Sequence, residues 1–84
     1  MNREFVLFNL RDAQAALSEM IKEIEEDETY GYGEYTVAMA HLYHHMNTAW
    51  NAQDSSDERA RACSQQDFEQ WSGFPSDLAP LGTI

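Results

Sequence analysis

Between Val6 and Ile24 apolar residues return in alternating steps of four and three, at Val6, Leu10, Ala13, Leu17, Met20 and Ile24. That period commits the first third of the chain to an α-helix with a coiled-coil-like seam. Leu, Ala, Met, Glu and Lys dominate the stretch, so local propensity agrees with the period, and a helix is predicted from Asn2 to Glu26. Phe5, Leu7 and Phe8 lie off the seam. They make the helix apolar on most sides near its start, where it needs cover from more than one neighbour. Glu25, Glu26, Asp27 and Glu28 collect like charge at the carboxyl end, where the macrodipole disfavours it, and predict fraying there.

A second stripe with helical spacing follows at Tyr35, Ala38, Met39, Leu42, Met46, Ala49 and Trp50, and predicts a helix from about Glu34 to Gln53. Glu34 suits its amino terminus. The intervening Thr29-Tyr30-Gly31-Tyr32-Gly33 reads as a hairpin loop whose glycines tolerate positive backbone angles. Its spacing is not that of a phosphate-binding loop, and no strand precedes it. So short a connection makes the two long helices antiparallel and brings the aromatic head of the first, Phe5 to Phe8, near Trp50.

Two further start signals follow. Ser55 with Glu58 reads as a capping box opening a short helix through Arg59 to Cys63, and Ser64 with Asp67 opens another through Phe68 and Trp71, closed by Gly73 and Pro75. Phe68, Trp71 and Phe74 form an apolar edge that is expected to fold over the open end of the hairpin, near Phe5, Phe8 and Trp50. Residues 1–75 are then a single helical domain, and 76–84 an extended or frayed tail.

An 84-residue chain has a thin core and needs reinforcement. A disulfide within the chain is excluded, because Cys63 is the only cysteine, and a lone thiol suits a reducing compartment. Metal binding or self-association remains. The large apolar residues beyond those one hairpin can use predict a homodimer in which two hairpins form a four-helix bundle. The overall expectation is an all-α fold: an antiparallel two-helix hairpin plus one or two short C-terminal helices.

Fifteen acidic residues against five basic ones give a net charge of −10, which excludes nucleic acid and anionic membrane surfaces as natural partners. No stretch is long enough to cross a bilayer, and the apolar run near the start is too short for a signal peptide, so a cytoplasmic location is expected.

Chemistry concentrates on the second helix. His41 and His45, four residues apart, stand one above the other on the border of its stripe, whereas His44 points away from it. Two imidazoles at this spacing can share a divalent transition metal. They can equally sit at the core boundary and hydrogen-bond a neighbour. Further ligands would have to come from Glu19 and Glu23, which the hairpin brings near His41, or from a second subunit. The Glu-x-x-His signature of carboxylate-bridged iron sites is absent.

Tyr43, Trp50 and Trp71 could wall a small-ligand pocket, and Asn47 and Asn51 could clamp a ligand or bond a neighbouring helix. Cys63 has no activating partner, and no catalytic constellation is present. The expected function is a non-enzymatic module that self-associates or binds a protein, with no resident cofactor; a metal-dependent protein built on the histidine pair is the alternative.

Overall fold

A computed structural model describes residues 1–78, and among these the helices are α1 (Arg3–Glu26), α2 (Tyr32–Asn51), α3 (Asp57–Ala62) and α4 (Gln65–Ser72), with no strand. The first two pack antiparallel as the short connection requires, and α4 lies against α2.

Asn2 fixes the start of α1. Its side chain accepts from the Phe5 amide at 3.2 Å and donates to the Ser55 carbonyl at 3.0 Å, while its own amide donates to the Gln53 carbonyl. One capping residue thus closes α1 and ties it to the chain leaving α2. At the other end α1 runs through Glu25 and Glu26 to a C-cap at Asp27. The Asp27 carboxylate accepts from both the amide and the hydroxyl of Thr29, at 2.9 and 2.6 Å, and these bonds, the hydroxyl's first, hold its pKa below the usual carboxylate value.

The loop is shorter than the sequence predicts. Gly31 caps α2 with its amide donating to Glu34 at 2.8 Å, so Tyr32 and Gly33 are already helical, and neither glycine adopts a positive φ. The residue that does is Cys63, at φ 37°, which ends α3 in the left-handed conformation.

The cap of α3 also shifts by one position. Ser56, not Ser55, accepts from the Arg59 amide, at 3.1 Å. Ser55 belongs instead to the turn leaving α2, its amide bonded to the Ala52 carbonyl and its hydroxyl buried without a partner. Ser56→Ala is therefore expected to cost about 1 kcal/mol in chemical denaturation, and Ser55→Ala to be near neutral. Equal losses would contradict the assignment. The cap of α4 stands as predicted, with Ser64 accepting from the Asp67 amide at 3.1 Å.

The hairpin core contains Ala13, Met20 and Leu42, with Tyr30, Ala38 and Met39 packed around it. The face α1 turns to α2 is rotated from the predicted seam. Asn9, Ala13 and Met20 are buried and Ala16 is half-buried, but Leu10, Leu17 and Ile24 remain 45–49 % exposed. The small side chains of Ala13, Ala16 and Ala38 lie along the contact with Met20 and Leu42, and the branched residues are left on the flank. Asn9 tolerates its position because its amide donates to the Phe5 carbonyl at 3.0 Å.

α4 is docked through its carboxyl end. Asn47 donates to the Ser72 carbonyl at 3.0 Å, and Asn51 to those of Trp71 and Gly73 at 2.7 and 2.6 Å, so carbonyls that a helix end leaves unpaired are satisfied by α2. The asparagine pair bonds a neighbouring helix rather than standing free for a ligand. Trp71 is buried, its ring edge-on to Phe5 at 5.8 Å and beneath the Arg59 guanidinium at 5.5 Å. Arg59 also pairs with Asp67, and that bond holds the buried carboxyl below its ordinary pKa.

Of the three aromatic residues expected at Phe5, Phe8 and Trp50, only Trp71 arrives, and it meets Phe5. Phe68 packs on His44 at 4.9 Å and Phe74 on Tyr43 at 5.1 Å, both on the outer side of α2. Helix α4 runs beside α2 instead of across the open end of the hairpin, because the asparagines anchor it there. Phe8 stays 59 % exposed beside Phe5, and the Trp50 indole donates to Asp77 at 3.0 Å. Asp77 thereby ties the start of the predicted tail to α2; residues 79–84 lie outside the described residues.

Candidate functional site

The contact line between α1 and α2 separates two unlike flanks of the hairpin. In an antiparallel pair, residues displaced in the same rotational sense from the line of contact emerge on the same side of both helices. Residue spacing alone therefore sorts them.

On one flank lies an open groove of about 1000 Å³ lined by Asp12, Glu19, Glu23, Glu34, His41 and His45, with Ala16, Met20 and Ala38 at its floor and no Lys or Arg. All four metal candidates named from the sequence are in it. His41 and His45 converge, Nε2 to Nε2, at 2.9 Å, their rings 4.6 Å apart. Glu19 and Glu23 line the same groove, but among the described residues no group of three His, Cys, Asp or Glu side chains could hold an ion.

The residue sequence reasoning missed is Asp12, whose Oδ2 lies 4.0 Å from His45 Nδ1. Counting outward from the loop would have found it, since His45 falls level with Asp12 while His41 lies a turn nearer the loop. The His45 ring is only 15 % exposed, and its Nδ1 is buried without a hydrogen-bond partner. Burial, then the neighbouring His41, holds its pKa below that of free imidazole, against the opposing pull of Asp12.

The other flank is apolar. Leu10, Leu17, Ile21 and Ile24 of α1 and Tyr35, Met46 and Trp50 of α2 are 37–49 % exposed along it. Leu10, Met46 and Trp50 share one shallow depression with Val6 and Ala49. By the same spacing, the acidic residues of both helices fall outside this strip, on the groove flank or the outward side. On a chain of net charge −10, an uncharged strip running most of the length of the hairpin stands out from the rest of the surface.

The aromatic pocket is only partly assembled. Trp50 and Trp71 line an open cleft of about 350 Å³ with Arg59 and Asp77, but Tyr43 is not part of it. Cys63 is exposed. No helix among the described residues is long and apolar enough to cross a membrane. No protein-family model matches the chain, and neither a curated protein nor a solved structure shows significant similarity to it.

Proposed function

We propose that the protein is a non-enzymatic, cytoplasmic helical module that self-associates, two hairpins closing their apolar flanks on each other as a four-helix bundle. The observation that supports this reading is the apolar strip of Leu10, Leu17, Ile21, Ile24, Tyr35, Met46 and Trp50, whose only described cover is the bond from the Trp50 indole to Asp77 at one end. A two-helix layer with one apolar flank is half of a four-helix bundle, and a second copy supplies the same flank by two-fold symmetry.

Charge makes the alignment selective. Two chains of −10 repel wherever their carboxylates face, and the strip is where they can meet without that cost. The mass in solution tests the reading at micromolar concentration: twice 9.7 kDa for the pair, 9.7 kDa for an isolated hairpin.

A further inference from the structure

We propose that His41 and His45 bind one divalent late transition-metal ion through their Nε2 atoms, with Asp12 as the positioning residue for the His45 ring. The site is an open one. Two ligands come from α2, and water or an incoming ligand completes the coordination shell.

Geometry carries the argument. Both imidazoles project from one rigid helix into the groove, and their Nε2 atoms already stand 2.9 Å apart. For two nitrogens each about 2.05 Å from an ion, that separation corresponds to an angle of about 90°. It is the cis angle of square-planar or octahedral coordination, which suits Ni²⁺ and Cu²⁺ better than the wider angle of a tetrahedral ion.

The other nitrogen of His45 gives an independent indication. Its Nδ1 is buried, makes no hydrogen bond, and has a carboxylate oxygen of Asp12 at 4.0 Å. Binding through Nε2 places the ring proton on Nδ1, where a small rotation of Asp12, whose side chain is 43 % exposed, can accept it. That carboxylate–imidazole–metal relay orients the ring and raises its basicity. The surrounding field also favours a dication, since Asp12, Glu19, Glu23 and Glu34 line the groove with no opposing Lys or Arg. Without metal the same two nitrogens can share a single N–H···N hydrogen bond, and the experiment separates the two arrangements.

Metal-free, untagged protein is titrated with Ni²⁺ by calorimetry, beside His41→Ala, His45→Ala, the double variant and Asp12→Asn, with helicity followed by circular dichroism. Wild type is expected to bind one Ni²⁺ per chain more than the double variant. Each single histidine variant should weaken that site at least about tenfold, and Asp12→Asn about tenfold. His41 is exposed, so its replacement tests the site without disturbing the core. In the Zn²⁺-loaded protein, imidazole ¹⁵N shifts should report His45 with Nε2 bound and Nδ1 protonated. Equal Ni²⁺ uptake by wild type and the double variant would overturn the site, and an Nδ1-bound His45 would overturn the role of Asp12. The groove and the apolar strip lie on opposite flanks, so Leu17→Glu should leave Ni²⁺ binding unchanged, and self-association can fail without the metal site failing.

Discussion

Trp71→Ala is expected to detach α4 from the hairpin and to cost about 3–5 kcal/mol, the range for removing a buried aromatic side chain. At 5 % exposure Trp71 is the largest buried side chain among the described residues, and it connects three elements: Phe5 of α1 in an edge-to-face contact, Arg59 of α3 above its ring, and α2 through the Asn51 bond to its carbonyl. The backbone bond survives the substitution, but the ring that holds α4 against α1 does not. For a domain of this size each kcal/mol moves the melting temperature by about 4–8 °C, so a fall of at least about 12 °C is expected in thermal circular dichroism. Phe8→Ala, at 59 % exposure, is the contrasting variant and should move it little. A Trp71→Ala protein melting within a few degrees of wild type would mean that α4 is not part of the cooperative unit.

Leu17→Glu is expected to leave the hairpin folded and to abolish pairing. Leu17 lies midway along the open strip at 45 % exposure, so within one chain the change alters little of the core, and Glu is as good a helix former as Leu is close to being. Between two chains it introduces a charge on each side of a desolvated interface, where burying an unpaired charge costs about 3–5 kcal/mol. The dissociation constant should rise at least about 100-fold, read by sedimentation velocity with helicity as the control. A variant that pairs like wild type would move the interface away from this flank.

Helix content and order were legible in the sequence because the two long helices carry their own periods and the short ones carry boundary signals, Ser64 at the start of α4 and Gly73 at its end, whereas the Asn2 cap of α1 shows only in the structure. The rotation of α1 was not. Its apolar stripe is wide enough to serve two neighbours, and periodicity cannot say which part faces the chain's own second helix. Hydrophobicity points Leu10, Leu17 and Ile24 inward, yet Asn9, Ala13 and Ala16 are the more buried residues of α1. The path of α4 was equally hidden, because Phe68 and Phe74 show an apolar edge but not its destination. Asn47 and Asn51 decide that by bonding carbonyls three-dimensionally near and distant in sequence. The histidine pair was legible from its spacing alone. Asp12 could be reached only by counting both helices outward from the loop, which sets it level with His45; spacing along one helix does not show it.

Closure of the apolar flank by a second copy is tested by sedimentation equilibrium of untagged wild-type protein across a wide span of micromolar concentrations. The expected mass is twice 9.7 kDa, falling toward 9.7 kDa only on dilution. A mass of 9.7 kDa throughout the range would contradict it.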